Sequence, residues 1–182
     1  MSRKIVILNG SPREKGNTSA LTAAFTEGAE KAGNSVTEFH LQDMNIGGCL
    51  GCYGGGKDPE HPCVVKDDMD LIYPVYKEAD LVVLASPLYF WMVSGQLKTA
   101  VDRLFAVAEC DPNLKNPKKA SLLIMAAEGY GFDESEYWYD HLVDHLHWKS
   151  LGKLLCGGVL KVGDVEDRSE LGEARQIGER IG

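Results

Sequence analysis

The sequence predicts an α/β fold, a three-layer sandwich with helices on both faces of a five-stranded parallel sheet in the order 2-1-3-4-5. Three observations predict it. Short apolar runs alternate with stretches of helical periodicity along all 182 residues, the pattern of strands joined by crossover helices. The strongest runs, Ile5-Val6-Ile7-Leu8 and Leu81-Val82-Val83-Leu84-Ala85, are apolar at consecutive positions, as in parallel strands covered on both faces. The first run opens into a loop rich in glycine and hydroxyl groups, Asn9 to Ser19, that leads into a helix. Such a junction converges backbone N–H groups on an anion. In this strand order, ligands sit at the carboxyl ends of strands one and three, where the winding reverses.

Taken in order, strand one is expected over residues 4–9 and the first helix from Thr18 to Ala32, where Leu21, Phe25, Gly28 and Ala32 share a face. Gly33-Asn34 stops that helix. Residues 35–41 alternate Thr37, Phe39 and Leu41 with polar neighbours, which predicts an edge strand. A long loop over 42–66 follows. Asp67-Asp68 caps a helix over about 68–79 that Pro74 should kink or shorten. Residues 80–86 form strand three, and 87–93 an unusually aromatic loop. Ser94 caps a helix carrying Leu97, Val101, Leu104 and Ala108 on one face. Residues 120–127 then form strand four, 135–151 a helix, 154–160 strand five and about 166–181 the last helix. No linker interrupts the series, so 1–182 is expected to be a single domain.

The totals exclude several classes. A formal net charge of −8 opposes a nucleic-acid surface or a polybasic membrane contact, both of which need clustered Lys and Arg. No apolar run approaches the roughly 20 residues of a membrane span. Met1-Ser2-Arg3-Lys4 leads into a strand and not into a signal peptide. Five cysteines, an odd number in a chain with a sizeable core, suggest a reducing cytoplasmic setting.

Two familiar phosphate loops can be set aside. Gly16 is followed by Asn17 where a triphosphate loop has Lys-Ser/Thr, and Gly10 with Gly16 lacks the three-glycine spacing of a dinucleotide site. What remains is a set of small donors, Ser11, Asn17, Thr18 and Ser19, with Arg13 as a formal charge for a phosphate. As turn and cap residues they also need no ligand.

Gly10-Ser11-Pro12-Arg13 with Gly16-Asn17-Thr18, and Ser86-Pro87-Leu88-Tyr89-Phe90 followed by Ser94-Gly95-Gln96-Leu97-Lys98 and Asp102-Arg103, resemble the NAD(P)H-dependent FMN reductase family. The branch of greatest similarity is that of the iron–sulfur flavoproteins, and the likeness covers about residues 4–106. The resemblance implies a flavodoxin-like fold, bound FMN, hydride from NAD(P)H and a homodimer or homotetramer. It implies that Ser11, Arg13, Asn17, Thr18 and Ser19 hold the FMN phosphate and that Pro87, Leu88, Tyr89 and Phe90 flank the ring. An apolar, aromatic wall suits a flat tricyclic ring. Glu128 and Gly129, after strand four, are the third expected contributor, with Gly129 and Gly131 permitting close backbone approach. Trp91 reads equally as a ring contact and as an interface plug.

Cys49, Cys52 and Cys63 lie in the long loop. In the resembling branch this loop can carry four cysteines for a [4Fe–4S] cluster, which needs four thiolates. Here the position three residues after Cys52 is Gly55, so no intact cluster is expected. An inert remnant, a zinc site joined by His61, and a redox dithiol all remain open. His141 and His145, one helical turn apart, form either a metal pair or a solvated face. The function these features imply is an FMN-dependent oxidoreductase. It takes hydride from NAD(P)H and passes electrons to a small acceptor such as flavin, quinone, nitro compound or ferric iron. The alternative is a flavin electron carrier served by a protein redox partner.

Overall fold

Ile5 and Ile7 point into one core, Val6 and Leu8 into another, which is why the first strand needs no polar alternation. The computed structural model describes residues 2–182. In chain order the elements begin β1 (Lys4–Asn9), α1 (Asn17–Lys31), β2 (Ser35–His40), α2 (Met69–Glu78), β3 (Leu81–Tyr89) and β4 (Met92–Val93). They continue α3 (Gly95–Arg103), α4 (Phe105–Ala108), β5 (Ala120–Ala126), α5 (Asp133–His145), β6 (Lys149–Cys156) and α6 (Ser169–Glu179).

The parallel sheet runs β2-β1-β3-β5-β6, with the two-residue β4 antiparallel to the end of β3. Leaving β4 aside, this is the expected order 2-1-3-4-5, and the fold is flavodoxin-like. One core packs the sheet against α2, α3 and α5 through Tyr73, Leu97 and Tyr139; the other packs it against α1 and α6 through Leu21, Phe25 and Ala174. Each fully buried side chain of this size contributes roughly 1.5–3 kcal/mol. Among the described residues no helix is long and apolar enough to cross a membrane.

Helices α1 and α6 touch backbone to backbone. A Cβ on Gly28 would lie 2.9 Å from the Arg175 carbonyl carbon, and one on Gly178 would lie 2.6 Å from the Ala29 nitrogen. The Gly28 of the predicted helical face therefore serves close approach more than apolar contact.

Four expectations need correction. The aromatic stretch 87–93 is a hairpin, not a loop. Leu88 pairs with Val93 and Tyr89 with Met92, while Phe90 and Trp91 turn the chain at φ 47° and 63°. This is the doubly left-handed two-residue turn that matches strand twist, made here without the usual Asn or Gly. The helix expected over 95–108 breaks at Leu104 into α3 and α4. The helix expected over 135–151 ends at His145, because His147 adopts φ 53° and Trp148 donates from Nε1 to the Pro117 carbonyl at 3.0 Å. Lys149 and Ser150 then pair with Ala120 and Ser121 of β5, so the last strand is 149–156 and not 154–160. Gly158, at φ 73°, closes it. Residues 157–168 become a loop over the carboxyl ends of the strands.

Candidate functional site

The carboxyl ends of β1, β3, β5 and β6 frame a cleft of about 220 Å³. Its polar wall is the β1–α1 loop with Ser11, Pro12, Arg13, Gly16, Asn17 and Thr18. Its apolar walls are Pro87, Leu88 and Tyr89, then Ala126 and Ala127 with Glu128, and Val159 and Leu160. The cleft thus has one donor-rich end and a long apolar body.

Helix α1 begins at Gly16 with no side-chain cap and no acidic residue in its first turn. Its first amides have no intrahelical acceptors, and they open on the polar end of the cleft with the positive end of the helix dipole. The loop ahead of them is held from below. Asn9 accepts from the Ser11 amide at 2.9 Å and donates to Glu38 at 2.7 Å. Ser11 and Ser19 hydroxyls both donate to the Arg13 carbonyl at 3.0 Å. Gly10 sits where a Cβ would come within 2.8 Å of Leu97 Cβ, so only glycine lets β1 pass the start of α3. Ser94 caps α3 by accepting from the Leu97 amide at 3.2 Å, and Ser86 Oγ receives the Ser94 amide at 2.7 Å.

Asn17 does something the sequence did not indicate. Its amide nitrogen donates to the Lys161 carbonyl at 2.9 Å and its oxygen accepts from Val165 N at 3.4 Å. The side chain latches the 157–168 loop over the cleft. Arg13 reaches the same loop, donating to the Leu160 carbonyl at 3.3 Å. The loop is tightened by Asp164, whose carboxyl is held below its ordinary range by the Lys161 and Leu160 amides. Arg168 donates to the Tyr130 hydroxyl at 3.1 Å and to the Gly157 carbonyl.

Of the residues singled out in the sequence, Ser11, Arg13, Asn17, Thr18, Pro87, Leu88, Tyr89 and Glu128 line one cleft. Ser19, Phe90 and Gly129 do not. Ser19 shapes the loop from behind, Phe90 stands 92% exposed at the hairpin tip, and a Cβ on Gly129 would meet nothing within 4 Å. Ala126, Ala127, Val159 and Leu160 were not foreseen. Their signal, small or apolar residues at strand ends, does not differ from ordinary core.

The cysteine loop encloses a second cavity of about 160 Å³, lined by Cys49, Cys52, Cys63, Tyr53, Phe105 and Glu109 among others. Its neck is fixed by Arg103, only 1% exposed. Arg103 donates to both oxygens of Asp67 at 2.6 and 3.1 Å, to the Gly47 carbonyl at 2.7 Å and to the Val65 carbonyl at 3.2 Å. Burial, the largest single influence on each, would push Asp67 up and Arg103 down, but the hydrogen bond and opposite charge between them, with the Gly47 and Met69 amides on Asp67, together override it. Asp67 is held below the usual carboxylate range and Arg103 above its own. His61 is not on this cavity and instead faces Asp70 at 3.3 Å. His141 packs edge-on against Tyr137, ring centres 4.2 Å apart.

A model of the NADPH-dependent FMN reductase family matches residues 3–155. An iron–sulfur flavoprotein of Archaeoglobus fulgidus is 32% identical over 178 residues, covering 98% of this chain and 78% of the relative. A solved NAD(P)H:quinone oxidoreductase from Methanothermobacter marburgensis superposes with a TM-score of 0.73 at 19% identity, over 98% of this chain and 96% of that one. An FMN-dependent NADH-azoreductase from Bacillus anthracis, solved with FMN, gives 0.73 at 15%, over 100% and 99%. At these identities the two solved structures speak to fold alone. The cluster in the relative's name does not suit the donors here. A Cβ on Gly55 would lie 2.7 Å from the Pro62 carbonyl oxygen and 3.1 Å from the Glu109 carboxyl carbon, so no fourth thiolate has room at that position.

Proposed function

This chain belongs to the NADPH-dependent FMN reductase family, and from that premise we propose that residues 1–182 act as one FMN-binding domain that transfers hydride equivalents from NAD(P)H to a small acceptor. It is an oxidoreductase of a flavin-dependent family; the finer reading concerns its cofactor contacts and its two substrates. The observation that carries it is the uncapped, acid-free start of α1 facing the same cleft as the apolar ends of β3 and β5. A ligand with a phosphate at one end and a flat ring at the other matches that division.

In this reading the amides of the first turn of α1, with Ser11, Arg13 and Thr18, hold the phosphate. Asn17 and Ser19 keep the loop in shape. Pro87, Leu88 and Tyr89 pack on one side of the ring, and the Ala126–Glu128 backbone approaches from another. Val159 and Leu160, latched by Asn17, exclude water from the cleft. Bound FMN would supply the hydride and electron chemistry, and these residues supply position and electrostatics. Flavin, quinone, nitro compound or ferric iron remain the acceptor classes, and a cytoplasmic homodimer or homotetramer the proposed form. Anaerobic NADH or NADPH should bleach the bound flavin. No bleaching with either nucleotide overturns the reductase reading.

A second reading is favoured by the relatives named iron–sulfur flavoproteins. In it the protein exchanges electrons with a protein partner, to which a net charge of −8 would steer a basic surface. Flavin that reacts with dithionite but with neither nucleotide would favour it.

A further inference from the structure

We propose that Cys49, Cys52 and Cys63, with the Glu109 carboxylate, bind one thiophilic divalent cation, Zn²⁺ in its tetrahedral three-sulfur, one-oxygen shell, in place of a four-iron cluster. This goes beyond the flavin reading and does not depend on it. Three cysteines line the same cavity of about 160 Å³ together with Glu109 and with Asp102, whose carboxylate is paired with Lys98, and zinc takes a shell of three sulfurs and one oxygen readily.

Three features of the loop favour a single ion. The Gly51 amide donates to Cys49 Sγ at 3.4 Å, which closes a tight turn between Cys49 and Cys52. The Gly55 amide donates to Glu109 Oε1 at 3.3 Å, and the Gly56 amide to the Pro62 carbonyl at 2.8 Å. Together they fold the segment so that Glu109 occupies the side where a fourth cysteine would project. The Arg103–Asp67 pair holds Gly47 and Val65, the two ends of the loop, independently of any metal. The loop is therefore closed at its neck and adaptable at its tip.

Among the described residues, no three metal-binding side chains are already gathered around one point. Cys49 and Cys52 are exposed and Cys63 half-buried, so the proposed shell requires the two exposed thiols to turn toward Cys63 when the ion binds. Binding displaces the three thiol protons, and affinity should rise with pH. His61, paired with Asp70, stays outside.

The test is a Cd²⁺ titration of anaerobically purified, reduced protein, followed by thiolate-to-metal charge-transfer absorption, with elemental analysis of protein equilibrated in zinc. The expected result is one cation per chain. Cys63→Ser should lower the absorption, which scales with the number of bound thiolates, and weaken binding, and Glu109→Gln should weaken binding by about tenfold. An unchanged circular dichroism spectrum and urea-unfolding midpoint in both variants report an intact fold. If either variant is unfolded, Cys49→Ser, at an exposed position, takes its place as the test. Reconstitution with iron and sulfide that yields four irons per chain overturns the proposal. So does an absorption that survives loss of the cysteines, or an absence of any bound cation.

Discussion

The β1–α1 loop and the cysteine loop solve the same problem in opposite ways. Each surrounds a cavity with groups that could hold a ligand. The first does it with backbone, set by a strand end, a helix start and glycines placed where a Cβ would collide. The second has almost no regular structure over more than twenty residues and hangs on one buried guanidinium. Arg103 reaches 56 residues back to Gly47 and 36 back to Asp67. The first region is a property of the sheet; the second is an attachment that can change without it.

The sharpest way to break that contrast is Arg103→Met. It leaves Asp67 buried without its partner, which should cost roughly 3–5 kcal/mol, read from urea unfolding. The cysteine loop should become sensitive to limited proteolysis while FMN affinity moves by less than about threefold, as for distant, independent sites. Loss of FMN binding in this variant would show that the two regions form one cooperative unit.

Gly10→Val attacks the other side. The new side chain meets Leu97 and Ser94, and overpacking of this kind costs about 1–3 kcal/mol. Here FMN affinity should fall together with stability, and the cysteine loop should remain resistant to protease. Arg13→Ala should be milder, weakening FMN about tenfold, or roughly 1.4 kcal/mol, with an unchanged unfolding midpoint in the flavin-free protein.

A control lies remote from both regions. Burial pushes the Lys119 ammonium from 10.5 down to about 8, while it donates to the carbonyls of Lys77 and Ala79 at the end of α2. The unfolded chain therefore holds that proton more tightly than the folded one. Stability should rise as pH climbs from about 8 toward 10.5, and Lys119→Met should remove that rise without altering either cavity.

How legible each region was follows from the same contrast. Ile5 to Leu8 and the loop after them could be read because their causes are local: a doubly buried strand, a helix start, a glycine. The contacts of the Asn17 side chain are not local. They reach Lys161 and Val165, 144 and 148 residues away, and no spacing rule reports that. The hairpin at Phe90-Trp91 was missed because its left-handed turn lacks the Asn-Gly signal. The helix over 135–151 was overextended because Leu142 and Leu146 keep helical spacing up to a turn that His147 imposes. Arg103 was read as part of a motif, whereas its burial against Asp67 is visible only in three dimensions.

The Asn17 latch also sets a schedule. The loop that opens the site is made well before the residues that hold its asparagine, which follow 144 and 148 positions further along the chain. A chain released after Cys156 would own the whole parallel sheet and still lack both the latch and one wall of the cleft. Closure of the cleft therefore waits on the 157–168 loop, and a chain cut before Val165 should capture FMN more weakly than residues 1–182, read by flavin titration.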